Sequence, residues 1–432
     1  MTTCWNYAIV KMYEMIGKVL KVSAFTRRGK VMTNKIGITK MTELLQKLVS
    51  IESPYFHEEE VMAYVEGWLK ERNLPVEVHT YEDIRVTGFK GKNITGMLDG
   101  GKPGPVIYLN GHLDTVNICD GWTKDPLAGE VVDGKMYGTG ALDMKSGCAA
   151  ILLAVEAFAK EHSEFNGKII YHLVSDEEGP FGLGTMFLIE DKIHNVEEIA
   201  DIAISTEPTA GFSGMPHPCF GVGAKGGYNY KIIVRGKSSH AATPHLGISA
   251  AVDASKIVVE LEAMEKREDP QLGKGANCVI RLSSGGAACS VPDYAEIEIF
   301  SHVVRGENQQ TLREEAEEAI RRAGVRSQCE IVFRDTPADR FDGGFPPYCT
   351  DMDNELAKKF TKSVTKVCGK EPQISYFEAI GDFNYIGGTL GIPTVMFGAA
   401  GDHFHSCDEY VCLNSATETA ESLYQFFEDV LV

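Results

Sequence analysis

The stretch IYHLVSDEEGPFGLGT, residues 170–185, passes through mostly apolar residues and then delivers Asp176, Glu177 and Glu178 in succession before a glycine-rich turn. Three adjacent carboxylates repel one another, and a partner cation or open solvent must relieve them. The apolar run that leads into them argues against open solvent. Its length fits a buried strand, so the carboxylates sit where a strand of the core ends.

Further runs of the same kind follow the same rhythm. VIYLN (106–110), IIYHLV (169–174), IAIS (202–205) and PTVMF (393–397) are short and nearly unbroken in their apolar character. Between and before them lie segments of helical periodicity, such as MTELLQKLVSI from Met41 and HEEEVMAYVEGWLKERN from His57. Unbroken apolar strands separated by helices indicate an α/β fold with a mostly parallel central sheet covered by helices on both faces. Residues 226–335 break this rhythm and read as strand, helix, strand, strand, helix, strand. That order is the ferredoxin-like βαββαβ unit, which can fold as a small α+β lid domain. Because the first pattern resumes afterwards, the lid is expected as an insertion. The expected organisation is an N-terminal extension at 1–37, a split catalytic domain at 38–225 and 336–432, and the lid at 226–335.

Composition narrows the function. At 432 residues the chain exceeds one typical core, and 44% hydrophobic with 24% charged residues is an ordinary globular balance. A net charge of −19 and the lack of a Lys/Arg cluster oppose a nucleic-acid partner. No run approaches the length needed to span a membrane, and the N-terminal residues do not form a secretory signal. Eleven cysteines, an odd count without a Cys-x-x-Cys pair, fit reduced thiols and a cytoplasmic location.

Each apolar run is followed at once by acidic or imidazole groups. VIYLN leads to Gly111-His112-Leu113-Asp114, IIYHLV to Asp176, Glu177 and Glu178, and IAIS to Thr206-Glu207-Pro208. PTVMF leads to GAAGDHFHSCDEY, which holds Asp402, His403, His405, Asp408 and Glu409. In an open α/β sheet the carboxyl ends of parallel strands share one crevice. A fifth stretch, MYGTGALDMKSGCAAILLAVEAF, places Asp143 at a helix entrance, where on its own it would read as a cap. Asp143, Glu177, Glu178 and Glu207 in one crevice outnumber the nearby imidazoles, and two divalent cations balance them. Carboxylate and imidazole donors without thiolates favour zinc, with cobalt or manganese as alternatives. At a strand end His112 and Asp114 share a face, so Asp114 can hold the imidazole's second N–H. Of the adjacent pair Glu177 and Glu178, one can ligate while its neighbour serves as general base.

GHLDTV, YGTGALDMKSG, SDEEGPFGLGT, STEPT, RGKSSHAATPHLGISAA and HSCDEY resemble, in order and spacing, the acetylornithine deacetylase and succinyl-diaminopimelate desuccinylase family, which includes glutamate carboxypeptidases and aminoacylases. The resemblance covers residues 41–432. It implies a dinuclear zinc amidohydrolase with two Zn2+ per subunit, acting on a small-molecule amide, and a homodimer formed through the lid. Asp143 resembles the bridging carboxylate. His112 and Glu207 would complete one ion's shell, Glu178 and His405 the other's. Glu177 resembles the general base and Asp114 the group that orients His112. His240 of KSSHAATPH resembles the histidine that steadies the oxyanion, often from a partner subunit, whereas His403 and His245 are assigned structural roles.

One departure concerns the substrate. Where the family carries Asp-x-Arg-x-x-Pro-Gly on a lid strand, this chain has FSHVVRGEN, with Phe300, His302 and Arg305 in place of Asp, Arg and Pro, and Cys289 upstream in place of an asparagine. His302 and Arg305 are the residues left to receive a substrate anion. The expected activity is cleavage of an N-acyl amino acid or a small peptide-like amide. A dipeptidase or a catalytically silent metal-binding paralogue is the alternative. The base Glu177 favours the enzyme, because a binding module has no need of it.

Overall fold

Strand Gly101–His112 lies in the interior of a nine-stranded sheet. Phe165–Val174 runs parallel on one side of it and Ile202–Ser205 parallel on the other, so that Ile107 faces both Ile169 and Ile202 across the ladder. Thr394–Met396 continues in parallel beyond Ile202–Ser205. Antiparallel strands flank this parallel centre. Lys90–Asp99 and Glu77–Glu82 form one edge, and Cys219–Ala224 with Tyr348–Cys349 lie towards the other. Gln373–Phe377 is parallel to Cys219–Ala224. This computed structural model describes residues 35–432.

The unbroken apolar character of the central runs has a simple cause. Ile107, Leu109, Ile169 and Tyr171 face a core that includes residues of helices Gly37–Val49, Ser146–Glu161 and Leu413–Leu431. The alternate residues Val106, Tyr108 and Ile170 face a second cluster with Val196, Ile386 and Ile392. Neither face meets water, so neither needs polar residues. Gly147, in the first turn of Ser146–Glu161, makes the helix-to-sheet approach close: a Cβ there would lie 2.3 Å from the carbonyl oxygen of Thr206.

Residues 226–333 carry a four-stranded antiparallel sheet in the order Ala276–Gly285, Tyr294–Val303, Gly226–Arg235, Gln328–Phe333. Helices Ala250–Glu262 and Gln309–Ala323 contribute to its own apolar core, with Ile232, Val234, Ile257, Leu261 and Ile297. This is the βαββαβ order read from the sequence. Lys225 alone separates strand Cys219–Ala224 from the first lid strand. Its N–H donates to Phe377 O at 2.9 Å, and its carbonyl accepts from Asn384 Nδ2 at 2.9 Å. At the return crossing, the Arg334 guanidinium donates to the carbonyls of Pro180 and Gly343.

The expected extension at 1–37 lies outside the described residues up to position 34. Ile36 is already buried, and its N–H donates to Glu421 Oε1 at 2.7 Å. A small antiparallel sheet of Glu130–Val132, Lys135–Tyr137, Tyr410–Cys412 and Gly401–Asp402 completes the body. Among the described residues no helix is long and apolar enough to cross a membrane.

Candidate metal centre

The parallel strands deliver their polar residues to one edge. His112 is the last residue of Gly101–His112, Glu177 and Glu178 follow Phe165–Val174, and Glu207 follows Ile202–Ser205. Asp143 arrives from the turn before helix Ser146–Glu161. Its backbone is extended (φ −112°, ψ 100°), so it presents its carboxylate to the crevice rather than capping the helix. His405 comes from the loop after Thr394–Met396.

These side chains meet. Asp143 Oδ1 lies 3.3 Å from His112 Nε2, and Asp143 Oδ2 lies 3.3 Å from His405 Nε2. His405 Nε2 is 2.8 Å from Glu178 Oε1, and His112 Nε2 is 3.8 Å from Glu207 Oε1. His112, Asp143, Glu178, Glu207 and His405, from five separate stretches, thus form one connected set of nitrogen and oxygen donors. Glu177 Oε2 lies 3.7 Å from His112 Nε2, while its Oε1 accepts the Asp382 N–H at 3.3 Å.

The charge balance favours cations. Burial raises the carboxyls of Glu177, Glu178 and Glu207 above the usual range, and repulsion among the acids, including Asp143 on Glu178 and Glu207, raises them further. Burial works the same way on Asp143, but hydrogen bonds from His112 and His405 outweigh it and hold the group at about 2. Burial opposes charge on His112, yet Glu177, Asp114 and Asp143 drive it well above its ordinary value. Two imidazoles balance only part of this acidity. Divalent ions of the zinc, cobalt or manganese type suit both the donors and the deficit.

The support around the centre differs in part from expectation. His112 Nδ1 is 3.0 Å from the backbone carbonyl of Asp114, whereas the Asp114 carboxylate is 3.6 Å away. The main chain at Asp114 therefore fixes the imidazole tautomer. Asp114 Oδ2 instead accepts the Glu178 N–H at 2.9 Å, and Oδ1, the oxygen nearer His112, is buried without a hydrogen bond. Four further acids were given no role from sequence. Glu409 accepts N–H bonds from Gly140, Leu142 and Asp143. The pairing of Tyr410 with Tyr137 brings it there, and its position beside His405 and Asp408 in HSCDEY was the available signal. Glu58 accepts from Phe56 and Asp176, Asp176 accepts from Leu183, and Asp382 accepts from Thr185. The bonds that join Asp176 to Glu58 and Thr185 to Asp382 link residues distant in the chain, so no local spacing marks them.

The lid candidates lie apart from this set. His240 is exposed, and its Nδ1 accepts from the Ala242 N–H at 3.1 Å. His302 packs edge-on against Phe300, and Arg305 forms a two-pronged pair with Asp269 at 2.8 and 3.0 Å. His403 Nδ1 faces the Cys407 carbonyl, and His245 lies in the exposed turn Pro244–Leu246. A cavity of about 310 Å³ adjoins Glu177 and Glu178, with Asn229 and Phe300 of the lid and Arg334 and Ile380 among its walls.

The model of peptidase family M20/M25/M40 matches residues 108–429, a span that includes all of these donors. The chain belongs to peptidase family M20/M25/M40. As a member of the M20/M25/M40 family it is a hydrolase of amide bonds. Similar curated proteins include the succinyl-diaminopimelate desuccinylase of Sulfurovum sp., 26% identical over 396 residues, covering 90% of this chain and 98% of the relative. The same-named protein of Acinetobacter baumannii is 27% identical over 338 residues, covering 77% and 85%. Among solved structures, aminopeptidase PepT from Bacillus cereus superposes with a TM-score of 0.72 at 21% identity, over 91% of this chain and 99% of that one. The Bacillus subtilis YXEP protein, described as a dinuclear metal binding peptidase of the M20 family, gives 0.66 at 16% identity, over 90% and 97%. These structural likenesses show a shared fold.

Proposed function

We propose that this M20 family member hydrolyses the amide bond of an N-acyl amino acid or a small peptide-like substrate, with His112, Asp143 and Glu207 holding one zinc-type ion and Asp143, Glu178 and His405 a second. The observation that carries this is the Asp143 carboxylate, which turns one oxygen to His112 and the other to His405, each at 3.3 Å. The description of the Bacillus subtilis neighbour as dinuclear supports two ions. Ions held by these residues would supply Lewis-acid polarisation of the scissile carbonyl and a more acidic water. Glu177 takes the proton of the attacking water and returns it to the leaving amine. Its carboxylate is held for this work between His112 and the Asp382 N–H, at the wall of the cavity. His240, exposed on the lid, takes the oxyanion role across a lid-mediated dimer. The desuccinylase names of the sequence relatives favour an acyl group over an N-terminal residue as the part cleaved off.

The test is a panel of N-succinyl, N-acetyl and N-formyl amino acids and dipeptides, offered to the purified protein with zinc, cobalt or manganese. Hydrolysis of an N-acyl member is expected. No turnover of any amide with any of the three metals would support the silent paralogue instead.

A further inference from the structure

Away from the residues of the dimetal centre, three other donors converge from distant parts of the chain. His217 lies in the loop before strand Cys219–Ala224, Cys368 is the last residue of helix Glu355–Cys368, and Glu418 lies in helix Leu413–Leu431. His217 Nε2 is 3.2 Å from Glu418 Oε2 and 3.9 Å from Cys368 Sγ, and the three donor atoms all fall within 4.8 Å of one another. We propose that His217, Cys368 and Glu418 form an additional cation site for one zinc-type divalent ion, completed by water.

The geometry matches what such an ion needs. Zinc–nitrogen and zinc–sulfur bonds of about 2.0 and 2.3 Å in a tetrahedron place nitrogen and sulfur about 3.5 Å apart, and nitrogen and oxygen about 3.3 Å apart. The two separations from His217 Nε2, 3.2 Å to Glu418 Oε2 and 3.9 Å to Cys368 Sγ, lie close to those values, and the sulfur and the carboxylate are within 4.8 Å of each other. The imidazole is held in place: it stacks on Phe397 with ring centroids 5.5 Å apart, and its side chain is 8% exposed. Nε2 is the ring nitrogen that faces both other donors. The Glu418 side chain is 42% exposed, which gives an ion a way in and a water a place to complete the shell.

A bare His–Glu ion pair with a bystander thiol would explain one contact. It leaves the thiol's approach to the ring nitrogen unexplained, and also Ser422. That serine lies one helical turn beyond Glu418, with its buried hydroxyl beside the Cys368 sulfur, where it favours the thiolate. Burial pushes the free thiol up to about 12, and a metal-bound thiolate beside a hydroxyl donor offsets that cost. Binding releases the thiol proton to solvent and ties two helices and a loop together through one ion.

Cobalt distinguishes this site from the catalytic one. The dimetal donors are nitrogen and oxygen only, so a thiolate-to-cobalt charge-transfer band in the near ultraviolet reports a cysteine ligand and nothing at the catalytic centre. When the chelated full-length protein is titrated with Co2+, we expect this band to saturate at one ion per chain. It should persist in His112→Ala and vanish in Cys368→Ser. No band in the wild type, or an undiminished band in Cys368→Ser, overturns the site. Should Cys368→Ser fail to fold, Glu418→Gln, a change at a half-exposed position, decides: affinity read from the band should fall about tenfold or more, and an unchanged affinity overturns the proposal. Neither readout depends on whether the substrate assignment holds.

Discussion

Glu409 Oε1 accepts the backbone N–H of Asp143 at 3.0 Å and that of Leu142 at 2.8 Å, while Oε2 accepts Gly140 N–H at 2.8 Å. One buried carboxylate thus organises the turn that presents Asp143. In Glu409→Gln the amide NH2 cannot accept, so one face of the turn loses its anchor. We expect metal affinity to fall about 10- to 100-fold, read by competition with a chromophoric chelator. An unchanged affinity would show that the turn holds itself.

Glu177→Gln keeps the shape and removes the base. Turnover should fall by about 10² to 10⁴ while metal content stays at the wild-type level. Metal analysis beside steady-state kinetics checks this, and near-full turnover with both ions bound would sink the assignment.

Removing the ions should invert the usual pH dependence of stability. Burial raises Glu58 and Glu409 to about 8, Asp382 to about 7 and Asp176 to about 9. In the unfolded chain these groups return to 3.8 or 4.5. Between those limits the folded metal-free protein binds more protons than the unfolded chain, so its stability falls as pH rises. Thermal melting of the chelated protein should therefore drop from about pH 5 to about pH 8, and added zinc should reverse the loss. A melting temperature that rises over this range without metal would refute the charge balance drawn for the centre.

Gly147→Ala probes the contact between helix and sheet. The added Cβ would meet Thr206 O at 2.3 Å, next to Glu207. Overpacking of this kind costs about 1–3 kcal/mol, and we expect weaker metal binding as well, because helix and ligand shift together. Wild-type melting and metal affinity in this variant would contradict the close packing.

Arg305→Ala separates a lid brace from a substrate receptor. Asp269 is held at about 2 by the Arg305 hydrogen bond, and the Arg305 side chain is 41% exposed. The pair therefore stabilises by no more than about 1 kcal/mol. A small drop in melting temperature with an unchanged KM is expected. A KM raised several-fold for anionic substrates alone would return Arg305 to the substrate.

The central sheet was legible because burial on both faces leaves a continuous apolar signature, and the lid because its strand and helix patterns differ from those around it. His112, Asp143, Glu178 and Glu207 were legible because each stands just after such a run or beside a glycine turn, whereas His405 was chosen over His403 through the family resemblance. Glu58, Asp176 and Asp382 were not assigned roles, since what gives them meaning is contact with residues far away in the sequence. The Asp114 carboxylate was assigned to His112 from spacing and from the family resemblance. Spacing fixes which residue is near, and the turn geometry decided that its main-chain oxygen makes the contact.

The two places where the polypeptide passes between body and lid are both fastened. Lys225 is held through its own amide and carbonyl, and Arg334 through its guanidinium on Pro180 and Gly343. Further bonds from Gly227 to Phe345 and from Gln271 to Tyr376 make these crossings part of a wider seam, which sets Phe300 and Asn229 at the wall of the cavity beside Glu177.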